Sequence, residues 1–109
     1  MERPLLIDAG AAGRVWRIRL EGDIDRHNVE QLRDALEHSE VPEQGSVELD
    51  LSGAEYLDSA ALHVLSRLGR PAAARPHVRI VAPPGSRAAR ILELSGLDQV
   101  LDVVGAIES

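Results

Sequence analysis

Apolar and polar positions change period several times along this chain, and each change marks an element. From Arg14 to Leu20 the alternation is strict. Trp16, Ile18 and Leu20 share one face; Val15, Arg17 and Arg19 share the other. This is the period of a half-buried strand. Leu5 to Asp8 reads as an earlier partner strand, joined through Gly10 and Gly13. From Asn28 to Glu37 the period becomes helical: Val29, Leu32 and Leu36 line one face beside Ala35, with Glu30, Arg33, Asp34 and Glu37 outward. Pro42 and Gly45 mark a loop. Val47, Leu49 and Leu51 then make a strand, followed by a short turn. Ser59 to Leu68 is a second helix, with Ala61, Leu62, Leu65 and Leu68 inward. Gly69 sits where a left-handed cap belongs and Pro71 blocks continuation. His77 to Ala82 is a strand. Pro83-Pro84-Gly85-Ser86 leads into a third helix with Ala88, Ile91 and Leu92 inward, which Gly96 caps, and Leu97 is placed to touch Leu92. Val100 to Val104 is a last strand, and Gly105 to Ser109 leaves room for only the start of a further helix.

The resulting order is β-β-α-β-α-β-α-β. An opening hairpin followed by alternating strands and helices implies an α/β fold, a mixed sheet with parallel crossovers packed with helices. The 109 residues fit one domain, 1–109, with no repeat or linker. A chain of this length buries roughly 65% of its unfolded surface, enough to fold without a disulfide or metal.

Composition narrows the chemistry. There is no cysteine, which excludes disulfides, thiol catalysis and Cys-based zinc sites. Trp16 and Tyr56 are the sole aromatics, so the core is aliphatic. The net charge is −6, and the scattered arginines come without an aromatic stacking platform, which argues against nucleic acid as a partner. No apolar run approaches the ~20 residues of a membrane span, and Met1 to Asp8 is too short for a signal peptide. A cytoplasmic location with no membrane insertion is expected.

Candidate chemistry is sparse. His27, His38, His63 and His77 show no i, i+4 metal pair, so surface histidines are expected and no metal site. Pro83-Pro84-Gly85-Ser86-Arg87 lacks the lysine of a phosphate loop. Gly22-Asp23-Ile24-Asp25 ends the second strand, where α/β domains place functional loops. Ser59 lies at the opening of the second helix, where unpaired N–H groups and the helix field concentrate. A hydroxyl there can cap the helix or carry a phosphate, and local pattern alone allows both. His63, one turn along, does not make a catalytic triad of it: the G-x-S-x-G frame is absent.

These pieces, in this order and spacing, resemble the STAS family, the sulfate transporter and anti-sigma factor antagonist module. Leu20-Glu21-Gly22-Asp23-Ile24-Asp25 resembles the family's apolar-x-G-E-L-D segment. Leu49-Asp50-Leu51-Ser52-Gly53-Ala54-Glu55-Tyr56-Leu57-Asp58-Ser59 resembles D-L-S-G-V-x-F-[ILM]-D-S, and Leu92-Glu93-Leu94-Ser95-Gly96-Leu97 resembles L-x-[LMI]-[ST]-G-L. The resemblance covers essentially the whole chain. It implies a stand-alone anti-sigma factor antagonist: no cofactor and no catalysis of its own, but a phosphorylation substrate. The serine after the family's aspartate, here Ser59, is phosphorylated by an anti-sigma factor serine kinase of the GHKL type using ATP, and a serine phosphatase reverses it. The unphosphorylated form binds the kinase and frees a sigma factor, which regulates transcription.

By the same resemblance Asp23, Asp25 and Asp58 shape the site, and Asp25 and Asp58 oppose a phosphate on Ser59. Ala60, Ala61 and His63 belong to the partner surface, formed by the second helix and the Gly22–Asn28 loop. Two departures stand out. Ala60 and Ala61 replace the family's usual hydroxyl residue and glycine, and Ala61 is expected to present a methyl to the kinase. The terminal helix is cut short, which leaves an apolar groove. Other readings are a STAS scaffold subunit in a larger signalling or lipid-transport complex and, third, a nucleotide-using enzyme.

Overall fold

The alternation between Arg14 and Leu20 becomes the centre of β2, Val15–Ile24. The computed structural model describes residues 3–41, 45–69 and 77–105. Its elements are β1 (Leu6–Ala12), β2, α1 (Val29–Glu37), β3 (Ser46–Leu57), α2 (Ser59–Ser66), β4 (Val78–Val81), α3 (Arg87–Ser95) and β5 (Asp102–Val104). The order is the one predicted. The α/β class with a mixed sheet is therefore the fold. The residues expected to start a terminal helix, 106–109, lie outside the described ones, as does Pro71.

Among the described residues the sheet has five strands in the order β1-β2-β3-β4-β5. β1 runs antiparallel to β2, and β2 through β5 run parallel. Parallel crossovers are right-handed, so an order that always steps the same way puts α1, α2 and α3 on one face. The burial agrees. Ile18, Leu20, Leu49, Leu51 and Ile80 from the sheet form one core with Leu32, Leu65 and Leu92 from the helices, all fully buried. Trp16, Leu36, Leu62, Leu68 and Ile91, also expected inward, are partly buried against it.

The other face carries charge. The register sets Arg17, Glu48, Arg79 and Asp102 side by side across β2 to β5. Arg17 Nε lies 2.8 Å from Glu48 Oε1, and Glu48 is only 3% exposed. A buried carboxylate is held this way by an adjacent guanidinium; unpaired, it would carry a large desolvation cost.

Four boundaries differ from the sequence reading. β1 does not end at Asp8 but runs to Ala12, with Gly10 inside the strand and paired to Arg17. β3 does not stop at Leu51; it continues to Leu57 past two register shifts against β2. Asp50 Oδ1 accepts a hydrogen bond from the Ser52 amide at 2.9 Å, which replaces a ladder bond and lets the strand bulge instead of turning. Gly53 belongs to the same device: a Cβ there would lie 2.8 Å from Glu21 Cγ and 3.2 Å from the Leu20 carbonyl oxygen, so only glycine lets β2 pass this closely. α2 leaves α geometry at Ser66 and tightens into a 3-10 turn, Arg67–Gly69. β5 begins at Asp102, because Leu97–Gln99 forms another 3-10 turn after the left-handed cap at Gly96.

Candidate functional site

The extension of β3 positions the site. Ile24 and Leu57 are register partners at the carboxyl ends of two parallel strands, and the Asp58 amide donates to the Ile24 carbonyl at 3.1 Å. The loop into α1 and the start of α2 therefore leave the sheet side by side. In α/β sheets this is the edge where functional loops gather.

One carboxylate joins them. Asp58 has extended backbone angles and is the N-cap of α2. Its Oδ1 accepts from the Ala61 amide at 3.0 Å, and its Oδ2 accepts from the Arg26 amide at 3.0 Å. The cap role that local pattern allowed Ser59 is thus filled by Asp58. Ser59 becomes the first residue of the helix and is exposed. The hydroxyls of Ser39, Ser66 and Ser95 each donate to a backbone carbonyl, and that of Ser86 caps α3. The Ser59 hydroxyl makes no hydrogen bond among the described residues, which leaves it open to chemistry.

The loop beside it is held by hydrogen bonds of its own side chains. Asp25 Oδ1 accepts from the His27 amide at 2.9 Å, and the Asp25 carbonyl accepts from Val29 at 2.8 Å. Asn28 does not cap α1. Its side chain accepts from the Asp25 amide and donates to the Asp23 carbonyl, both at 2.9 Å. The side chain and amide of Asp23 bond away from this corner. Its Oδ2 accepts from the Arg3 amide at 3.0 Å, and its own amide donates to the Arg3 carbonyl at 3.1 Å. The preceding Gly22 has φ +92. Asp23 thus ties down the N-terminal segment.

Asp25, Asp58, Ser59 and His63 come together at this corner, with His63 exposed one turn along α2. Ala60 is half-buried against the core. Ala61 corrects the expectation placed on it. It is 0% exposed, packed in the core, and only its amide serves the site, through Asp58. A docking partner does not meet its methyl.

Sequence reasoning missed two residues here. Tyr56 is 52% exposed, on the strand just before the site. It is one of two aromatics in the chain and occupies the motif's aromatic position, which was a usable signal. Arg26 gave no signal, because its amide finds Asp58 only through folding. At the far end of α2, an open groove of about 400 Å³ lies between the ends of α1 and α2, lined by Leu36, Val64 and Leu68 with Arg33 and Arg67. Among the described residues no helix is long and apolar enough to cross a membrane.

Comparison with known proteins agrees with this fold. The family described as "Mlab, STAS domain" matches residues 7–105. The chain belongs to the STAS family. Its fold is similar to that of an anti-sigma factor antagonist from Mycobacterium paratuberculosis, with a TM-score of 0.80 and 21% identity over 98% of this chain and 92% of that one. It is also similar to the anti-sigma factor antagonist SpoIIAA in its unphosphorylated form, with a TM-score of 0.63 and 22% identity over 91% of this chain and 88% of that one.

Three substitutions separate the roles at the helix start. Asp58→Ala removes both amide contacts and is expected to cost about 1–2 kcal/mol in urea unfolding. Asp58→Ser keeps a cap but cannot reach Arg26 as well, and should recover more than half of that loss. Equal costs would mean that the cap contributes little. Ala61→Gly is expected to lower stability by about 1 kcal/mol, from helix propensity and lost core contact. It should leave partner affinity unchanged within twofold, as read by titration calorimetry. A tighter complex would restore the docking role.

Proposed function

We propose that this chain is an anti-sigma factor antagonist whose switch is phosphorylation of Ser59. The observation that carries this reading is the division of labour at the start of α2: Asp58 takes the capping bonds, and Ser59 is left exposed with an unengaged hydroxyl. Family membership and the fold shared with two anti-sigma factor antagonists support it.

The partner is an anti-sigma factor serine kinase of the GHKL type with its ATP. The Ser59 oxygen attacks the γ-phosphorus, the bond to the bridging oxygen breaks, ADP leaves, and the hydroxyl proton passes to a base on the kinase. A serine phosphatase restores the hydroxyl by hydrolysis. The chain supplies the accepting oxygen and performs no catalysis of its own. It works in the cytoplasm, and its unphosphorylated form draws the kinase away from a sigma factor.

The partner surface is the Gly22–Asn28 loop together with the outer side of α2, with Ser59, His63 and Tyr56 facing outward and Asp25 and Asp58 setting their frame. A phosphate adds about −1.5 to −2 charges at pH 7. At a helix start the fold tolerates it, since the helix field favours an anion by roughly 0.3–1 kcal/mol. A closely packed partner does not, because that charge and its bulk fall inside the contact.

A second reading rests on Ala60 and Ala61, which replace the hydroxyl and glycine of the family pattern. It makes the chain a scaffold subunit of a larger signalling or lipid-transport assembly, with binding indifferent to phosphate. Affinity capture followed by intact-mass analysis and phosphosite mapping separates the two. A kinase partner and phosphate at Ser59 are expected. Phosphate at Ser52 or Ser66 with Ser59 unmodified would overturn the assignment.

A further inference from the structure

We propose that Arg26 and His63 form a cationic clasp for a phosphate carried on Ser59. The inference rests on Ser59 being the modified residue and concerns what this particular chain does with the modification.

Two elements place Arg26 and His63 on either side of the start of α2. The Arg26 amide lies 3.0 Å from Asp58 Oδ2, so the Arg26 backbone adjoins the residue before Ser59 and its exposed side chain is within reach of a phosphate there. His63 is four residues after Ser59 on α2. Residues at that spacing lie about 5–6 Å apart between Cβ atoms, and helical side chains lean toward the N-terminus, which aims the imidazole back over the first turn. The clasp is therefore made of two side chains from different elements, and the helix start only adds its field.

Both cations are exposed and uncommitted. Arg3, Arg17, Arg19, Arg33 and Arg87 each lie within 4.0 Å of a carboxylate, at 2.9, 2.8, 3.0, 2.7 and 3.2 Å. Arg26 and His63 pair with none among the described residues.

The nearby acids are in the opposite condition. Both oxygens of Asp58 accept backbone amides, Asp25 Oδ1 accepts the His27 amide, and Asp23 Oδ2 accepts the Arg3 amide. Their charges remain and oppose a phosphate, but these bonds hold those oxygens toward the backbone. His27, exposed beside Arg26, is the other imidazole at this corner. A phosphate offers three strong acceptor oxygens, enough for a bidentate guanidinium and an imidazolium together. Phosphorylation then does more than block a surface. It draws the loop and the second turn of α2 onto one group and gives two idle cations a common partner.

The test encodes phosphoserine at position 59 during translation of the full chain, so the result does not depend on any kinase. The proteins are wild type, Arg26→Gln, His63→Gln and the double variant, and the readout is the phosphorus NMR shift against pH. Free phosphoserine has its second ionisation near pH 6. In the wild-type background it is expected to fall by about half a unit or more, since neighbouring cations favour the dianion. Each single variant should move it back upward, and the double variant furthest. Both substituted residues are exposed, and melts of the unphosphorylated variants check that folding is intact. A wild-type ionisation at or above the free value overturns the clasp. So does a downward shift that persists in the double variant, which would assign it to the helix field alone, or a response to only one of the two substitutions. Failure of kinases to modify Ser59 would instead refute the functional reading and leave this measurement standing.

Discussion

Replacing Gly22 with alanine is expected to destabilise the domain by about 2–4 kcal/mol, a large fraction of what holds a chain of this size together. Two effects add. Gly22 has φ +92, a conformation that costs an L-residue roughly 1–2 kcal/mol. A Cβ there would also lie 2.1 Å from the Pro4 carbonyl oxygen and 2.9 Å from the Pro4 carbonyl carbon. Those atoms are backbone and cannot turn aside, so the N-terminal segment must lift. With it go the Asp23-to-Arg3 backbone bond and the bond from the Arg3 amide to the Asp23 carboxylate, worth about 1 kcal/mol each. Urea unfolding of four proteins resolves the parts: wild type, Gly22→Ala, a chain beginning after Pro4, and the combination. In the shortened chain the alanine should cost only the conformational share, about 1–2 kcal/mol. A full cost in both backgrounds would show that the close approach of Pro4 carries no energy.

At Ser59 the expected effect falls on binding and hardly on stability. Ser59→Asp should weaken the complex with an anti-sigma kinase at least tenfold, about 1.4 kcal/mol or more, by placing a fixed negative charge within the contact. Ser59→Ala should bind like wild type and resist phosphorylation. Were Ser59 the cap, alanine would cost about 1 kcal/mol. With Asp58 as the cap, the loss should stay within about 0.5 kcal/mol, as for other exposed positions. Titration calorimetry and thermal melts of the three proteins read both quantities. Equal affinity across them would favour the scaffold reading.

The contrast between these two sites shows how far the sequence could be read. Helix and strand periods placed β2, β3 and the three helices, because burial on one face leaves a period in the chain. Ala61 is instructive in this respect. Its helical period with Leu65 and Leu68 set it inward, while the family pattern set it at a docking contact. The structure sides with the period, since one helix face cannot both fill the core and meet a partner. Asp58 and Ser59 were harder. Both are good capping residues, and a one-residue shift of the helix start exchanges their roles. The structure distinguishes them by the extended backbone of Asp58 and by the Ala61 amide bonding its carboxylate, while the Arg26 amide adds a contact across 32 residues that no local pattern records. The bulge at Ser52 was hidden similarly. Ser-Gly is ordinary turn chemistry, and its use inside a strand depends on how closely β2 passes.

The double grip of Asp58 has a consequence for the timing of events at this corner. Its two amides belong to segments far apart in the chain, Arg26 lying 32 residues from Asp58. Held by one carboxylate, they are coupled: a rotation of that side chain releases one bond of the loop and one bond of the helix start at the same moment.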